Sequence, residues 1–346
     1  MTIRDLFFFL ALSALTGWVL VIGKTVILPF VIAVMLTYVL VGATKSLRRV
    51  RPLSKMPDWL AYVLVLSIFG LTLTSMSLIV VSNLRNITQT APAAEANLLA
   101  LIGRIGRLFG VADAPSWSTL REVLLARIDL PDLSLSLLTS VASAGGYTVL
   151  ISTYIVFMVA ERRPLSHKVD LLFPDTDERG AARKIFDRIN SQIVTYLFTK
   201  TLINAMLGLI SYVLMWLMGI ENAVFWAFSI GLFNYIPYVG SAIGVGVVIT
   251  YLAVTTGALG PILLALVLLT AAQVYVGNWL EPRVMSRSLN LSPLTVLVAL
   301  VVWSALWGLI GAIIAVPMTS ILMIVLAAFD STRGLAILAS RDGELT

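Results

Sequence analysis

Long uncharged hydrophobic segments, separated by short charged loops, dominate this chain. One such segment runs from Asn222 to Leu280, and another fills residues 288–329. Because a helix rises ~1.5 Å per residue, ~20 apolar residues cross a ~30 Å hydrocarbon layer. The strands of a membrane β-barrel would instead alternate apolar and polar residues over ~10-residue segments. The pattern therefore predicts an all-α polytopic membrane protein.

About eight transmembrane segments are predicted, on a criterion of ~20 apolar residues each. Two of them are interrupted by helix-breaking residues, and the uninterrupted ones are Leu6–Gly23, Thr25–Thr44, Leu60–Ser82, Thr139–Ala160, Thr201–Ile220 and Ile262–Leu280. Lys24 alone separates the first two segments, so we expect a tight helical hairpin there.

The interrupted segments carry the first functional hypothesis. Their helix breakers are Pro237 and Gly240 in one and Gly308, Gly311 and Pro317 in the other. A proline deletes a backbone donor and crowds a preceding carbonyl, so we expect the Phe233 carbonyl to lose its partner. Each half is too short to span comfortably, which predicts a re-entrant or broken hairpin. Such breaks survive at membrane depth where protein or a watery cavity satisfies the backbone.

The C-terminal half repeats one outline, a full span followed by a broken hairpin. If each hairpin enters and leaves on the same side, the two units have inverted topology. Paired Gly/Pro-interrupted segments in inverted units indicate a transporter binding site.

Charge predicts the orientation. Basic residues follow the second span (Lys45, Arg48, Arg49, Arg51, Lys55) and fill a later loop (Arg162, Arg163, Lys168, Arg179, Arg183, Lys184, Arg188). The positive-inside rule makes both loops cytoplasmic, and with the topology above it also places both termini in the cytoplasm.

Two regions outside the spans are amphipathic. Residues 83–138 balance their charges, so they predict an external helical region that either caps the membrane or neighbouring subunits, or acts as a gate or vestibule. In the basic region, Asp175–Glu178 begin a helix that we expect to continue into the next span, with basic residues available for lipid phosphates. The predicted division is 1–82, 83–138, 139–160, 161–199, the transport core 200–330, and the tail 331–346.

Composition narrows the function. The chain is 59% hydrophobic, its net charge is +6, and it contains no cysteine and one histidine, His167. The basic residues lie beside membrane segments, which argues against a nucleic-acid partner. There is no phosphate-binding glycine loop with lysine and no metal-binding motif. We therefore expect no enzyme activity, no metal and no cofactor.

The candidate binding residues are polar side chains in the core: Asn204, Asn234, Tyr235, Gln273, Asn278 and Glu281. Asn234 precedes the break, where its oxygen and freed carbonyls could bind Na⁺ or a hydroxyl-rich solute, or where it simply caps the backbone. Gln273, Asn278 and Glu281 are expected on one helix face near its end. Glu281 either forms a surface ion pair with Arg283 or is a protonatable coupling group.

Residues 190–330 contain a distinctive set of motifs: Gln192–Tyr196, Gly219-Ile220, Asn234–Gly240, Gln273, Asn278, Glu281–Met285, Leu291–Pro293, Gly308, Gly311 and Ala315–Pro317. Together they resemble the AI-2E transporter family, also called the autoinducer-2 exporter or PerM-type permease family. Trp303-Ser304 departs from the glycine expected in relatives.

The resemblance implies a homo-oligomeric, pentameric protein of the inner membrane. It also implies secondary transport, as export of a small autoinducer-2-like solute or exchange of Na⁺ or Li⁺ for H⁺. A non-transporting membrane scaffold and a channel-like pore are the alternatives.

Overall fold

The computed structural model describes residues 3–48, 56–108, 146–161, 176–285 and 290–343. Its helices are α1 (Ile3–Ile22), α2 (Lys24–Leu47), α3 (Asp58–Leu108), α4 (Gly146–Glu161), α5 (Thr176–Leu217), α6 (Ala223–Phe233), α7 (Gly240–Thr256), α8 (Leu259–Tyr275), α9 (Glu281–Met285), α10 (Pro293–Ala327) and α11 (Arg333–Ala339). A π-helical turn, Val276–Leu280, joins α8 to α9.

Several helices have the length and apolarity of membrane spans. In the described residues, these are Lys24–Leu47, Arg183–Leu217, Leu259–Met285 and Pro293–Ala327. They expose large apolar side chains on their outer faces, as Val267 and Val301 show at 63% and 69% exposure. Lipid, unlike water, is a favourable solvent for such faces. The prediction of an all-α polytopic membrane protein is confirmed.

The junction between α1 and α2 differs from the prediction. The Gly23 amide donates to the Val19 carbonyl at 2.8 Å, and the Ile27 amide donates to the Gly23 carbonyl at 2.8 Å. Gly23 thus closes the last turn of α1 and opens the first turn of α2, and its backbone angles stay near the helical region. The chain therefore bends at this point, and the expected tight hairpin at Lys24 is wrong. A single lysine can reach water along its own flexible stem, so it did not mark a reversal.

Helix α3 contains 51 residues and is about 76 Å long at 1.5 Å per residue. It therefore combines the predicted span with the start of the amphipathic region, and the expected division at residue 83 lies inside it. The rest of that region, residues 109–138, lies outside the described residues.

Helix α5 combines the amphipathic helix of the basic region with the following span, as predicted. Its expected start at Asp175 falls outside the described residues. So do His167 and half of the basic loop residues, namely Arg49, Arg51, Lys55, Arg162, Arg163 and Lys168.

Helices α6 and α7, with residues 234–239 between them, form an antiparallel pair that we call hairpin 1. Helix α6 runs back along α5, because an added Cβ at Gly208 would lie 3.2 Å from the Ala227 carbonyl oxygen, and one at Gly231 would lie 2.9 Å from that of Asn204. Helix α7 then returns along α6, where Gly244 approaches Ile230. Small residues allow these close backbone contacts.

The two arms of α10 form hairpin 2. The backbone leaves the helical region at Trp307 and at Gly308, whose φ is +62°. The chain reverses there, since the Trp303 indole then reaches the Thr319 hydroxyl at 3.0 Å across 16 residues. The second break is thus confirmed at Gly308. Pro317, however, is fully buried within the second arm, and the expected break at this residue is wrong.

The two hairpins meet in the middle of the fold. Ile236, in the connection of hairpin 1, packs with Ala299 and Leu300 of the first arm of hairpin 2 and with Ala312 and Ala315 of its second arm. All five side chains are buried. Hairpin 1 therefore reaches the buried core of hairpin 2.

Candidate functional site

Hairpin 1 brings polar side chains to the middle of α5. The Asn234 amide donates to the Asn204 side-chain oxygen at 2.8 Å. The Tyr235 hydroxyl donates to the Thr201 hydroxyl at 2.6 Å. Asn204 is 3% exposed, so this contact lies inside the bundle. The side chain of Asn234 thus joins two helices, and the alternative that it caps the backbone beside Pro237 is not what the structure shows.

The backbone of this connection is locally satisfied. The Ile236 amide donates to the Phe233 carbonyl at 2.9 Å, so the expectation that Pro237 leaves this carbonyl without a partner is wrong. A tight turn supplies the donor that a helix would have lost. Tyr238 adopts a φ of +63° and is 62% exposed. A left-handed tyrosine is strained, and such strain is concentrated at functional segments.

Hairpin 2 reaches α5 one to two turns before the residues that hairpin 1 contacts. Trp307, where this hairpin reverses, packs with Ile193, Tyr196 and Leu197. Its indole donates to the Leu20 carbonyl of α1 at 3.0 Å. The connections of both hairpins therefore converge on residues 193–204 of α5.

A partly buried ion pair lies at the same level. The Lys200 ammonium of α5 donates to the Glu281 carboxylate at the start of α9, at 2.5 Å. Of the two alternatives for Glu281, the surface ion pair with Arg283 is not what the structure shows. The Arg283 guanidinium instead lies over the Trp279 ring, 3.5 Å from its centroid.

The π-helical turn before Glu281 changes which residues face inward. Gln273 is buried at 9% exposure, whereas Asn278 is exposed. A π turn holds an extra residue per turn, so it shifts the helix face and defeats an argument from α-helical spacing. The prediction that Gln273, Asn278 and Glu281 share one face is therefore wrong. Such turns occur frequently at functional sites.

Two buried amide groups lack an acceptor. The side-chain nitrogens of Asn204 and Gln273 have no hydrogen-bond partner in the described part of the chain. Burying an amide donor without an acceptor costs about 1–3 kcal/mol. An oxygen atom of a bound molecule would recover that energy.

The structure thus unites four of the six predicted binding residues beside α5: Asn204, Asn234, Tyr235 and Glu281. Gln273 is buried on the neighbouring α8, and Asn278 is not part of the cluster. Sequence reasoning missed the roles of Lys200 and Thr201. The signal for Lys200 was available, since a lysine within an apolar segment requires a partner.

A separate cavity of about 420 Å³ lies at the other end of hairpin 1. Its lining includes Asn97 of α3, Glu221 after α5, and Tyr251 of α7. Across the described residues, no cluster of histidine and acidic side chains could hold a metal ion.

Comparisons with known proteins agree with this architecture. The family model described as AI-2E family transporter matches residues 6–331. A Haemophilus influenzae protein, whose name proposes a transport role, is 26% identical over 328 residues, covering 92% of this chain and 90% of its own. The AI-2 transport protein TqsA of Escherichia coli is 26% identical over 322 residues, covering 91% and 89%. A Borreliella burgdorferi protein with a similarly proposed role is 32% identical over 181 residues, covering 51% and 49%.

Proposed function

Because the chain belongs to the AI-2E transporter family, we propose that it is a secondary transporter whose site lies between its two hairpins. One observation carries this proposal: both hairpins converge on residues 193–204 of α5, where polar side chains are buried in an apolar bundle. Broken helices that meet near the middle of a membrane supply a site that opens alternately to either side. Rocking of the hairpins against α5 would produce this alternation.

The chemistry of the site supports two kinds of cargo. The unpaired amide nitrogens of Asn204 and Gln273 suit the oxygen atoms of a small hydroxyl-rich solute. Since the relative TqsA is named as an AI-2 transport protein, an AI-2-like molecule is the first solute to test. The Glu281 carboxylate suits exchange of Na⁺ or Li⁺ for H⁺, with Glu281 as the proton site.

We also propose a homo-oligomer in the inner membrane, a pentamer by family resemblance, with both basic loops and the C-terminus in the cytoplasm. The positive-inside rule supports this orientation. The N-terminus is proposed on the same side. That placement depended on a reversal at Lys24, where the chain bends instead, so labelling of a cysteine at Ile3 is its direct test.

The central test is flux in proteoliposomes made with purified protein. Asn234→Ala removes the hydrogen bond to Asn204, and Pro237→Ala removes the residue that interrupts hairpin 1. Both variants should lose flux of AI-2 or of Na⁺-driven protons while they assemble normally. Thr250→Ala is the matched control, because Thr250 is an exposed polar residue of the same hairpin that bonds only to its own helix at Gly246.

The assay separates the alternatives. Na⁺-driven proton movement supports antiport, and solute efflux without it supports export. A scaffold would tolerate both substitutions and show no flux in the unaltered protein. A pore would instead give single-channel currents.

A further inference from the structure

The ion pair between Lys200 and Glu281 is unequally exposed. The side chain of Lys200 is 7% exposed and that of Glu281 is 26% exposed. The carboxylate is therefore partly open to its surroundings, whereas the ammonium is enclosed by protein. The nearby Arg283 guanidinium does not take the place of the Lys200 ammonium beside Glu281, because it lies over the Trp279 ring.

Two hydroxyl-bearing residues flank Lys200 along α5. Tyr196 is buried one turn before Lys200, on the same face of the helix. Thr201, next to Lys200 in sequence, accepts from Tyr235. An ammonium group and a bare alkali cation both bind to such oxygen atoms, because each is a compact positive charge.

Charge balance restricts what can replace Lys200. A carboxylate left unpaired inside a protein costs several kcal/mol, so removal of the ammonium requires another positive charge or a proton at Glu281. The lysine side chain has four methylene groups joined by rotatable bonds, so it can move the ammonium away from Glu281 without moving α5. A site of this kind remains neutral throughout an exchange.

We propose that Glu281 is a binding site for a monovalent alkali cation, and that the Lys200 ammonium is its built-in occupant. A cation from solution binds Glu281 when Lys200 moves away, and Lys200 displaces it on return. The inference rests on the proposed function in one respect, since an exchanged ion would use this site during transport.

Thermal unfolding of the purified protein tests the proposal without any transport assay. Lys200→Met keeps the apolar stem and removes the competitor. We expect its Tm to rise by about 2–4 °C in NaCl or LiCl relative to choline chloride at equal ionic strength, because a ligand that binds only the folded state stabilises it. Unaltered protein should respond less, and Lys200→Met combined with Glu281→Gln should not respond.

Arg283→Met is the matched control, because it removes a positive charge two residues from Glu281 without uncovering the carboxylate. It should respond like the unaltered protein. If Lys200→Met does not fold, Lys200→Gln takes its place. An equal response of single and double variants, or none in either Lys200 variant, would overturn the proposal. Flux of the unaltered protein and its loss in Asn234→Ala would still stand in that event, so the two failures are distinguishable.

Discussion

At the scale of single residues, two glycines allow a close backbone approach at corresponding positions of the two hairpins. An added Cβ at Gly240 would overlap the carbonyl oxygen of Phe233, and one at Gly311 would overlap that of Trp303. A backbone oxygen cannot turn aside as a flexible side chain does. Gly240→Ala should therefore keep hairpin 1 from closing and lower the free energy of unfolding by about 3 kcal/mol or more. Thermal unfolding and gel filtration of the purified variant measure this loss.

Gly246 provides the matched control in the same helix. No atom lies within 4 Å of a Cβ added there. Because alanine favours a helix over glycine, Gly246→Ala should be neutral or stabilising by up to about 1 kcal/mol. If Gly240→Ala and Gly246→Ala unfold at the same temperature, the close approach at Gly240 does not hold the hairpin.

Residues with a local signal were predictable, and those defined by distant contacts were not. Pro237 and Gly240 break a helix through their own backbone chemistry, so the first interruption could be placed from sequence. The partner of Glu281 lies 81 residues away, and nothing in the local pattern favours Lys200 over Arg283. Asn278 was misplaced because the π turn changes the helical period without a clear sequence signal.

At the scale of elements, the far part of α3 is fastened to the end of α7. The Asn97 amide donates to the carbonyls of Val254 and Thr255, each at 2.9 Å, and Arg104 donates to that of Gly257 at 3.3 Å. The last carbonyls of a helix have no partner within it. Asn97→Ala should therefore lower the free energy of local opening at the end of α7 by about 1–3 kcal/mol. Amide hydrogen exchange over residues 250–257 should become faster.

Arg104→Ala and Arg107→Ala form a controlled pair for this contact. Both arginines lie near the end of α3, but only Arg104 has a hydrogen bond to the α7–α8 turn among the contacts described. Faster exchange at residues 250–257 in Arg104→Ala alone would support fastening by α3. If Arg104→Ala, Arg107→Ala and Asn97→Ala all exchange at the rate of the unaltered protein, the end of α7 does not depend on α3.

Continuity between elements was the least predictable feature. The passage of α5 from the basic region into the membrane was expected, because its apolar periodicity is unbroken. The predicted helix break at Pro317 is wrong, since neighbouring helices can satisfy the backbone groups that a proline leaves without partners. The division at residue 83 marked a change in surface polarity, which a single helix such as α3 can contain.

At the scale of the whole molecule, the path of the chain separates the bases of the two hairpins. Hairpin 1 begins where α5 ends. Residues Leu259–Met285 then run back beside α5, as the contact of Glu281 with Lys200 shows. A helix of 27 residues covers about 40 Å, enough to cross the hydrocarbon layer. We therefore expect hairpin 2 to start beyond Lys200, on the side of α5 away from the base of hairpin 1, as the proposed inverted pair of units requires.

Labelling of single cysteines tests this arrangement, because the chain has no cysteine of its own. Gly260 lies exposed at the base of hairpin 1, and Ser331 lies exposed just after hairpin 2. A membrane-impermeant maleimide should modify Gly260→Cys in intact cells and Ser331→Cys only after permeabilisation, since basic loops stay in the cytoplasm. Each variant should first show unchanged thermal unfolding. Modification of both cysteines from one side would mean that the two hairpins enter the membrane from the same side. The proposed alternating access between inverted units would then have no structural basis.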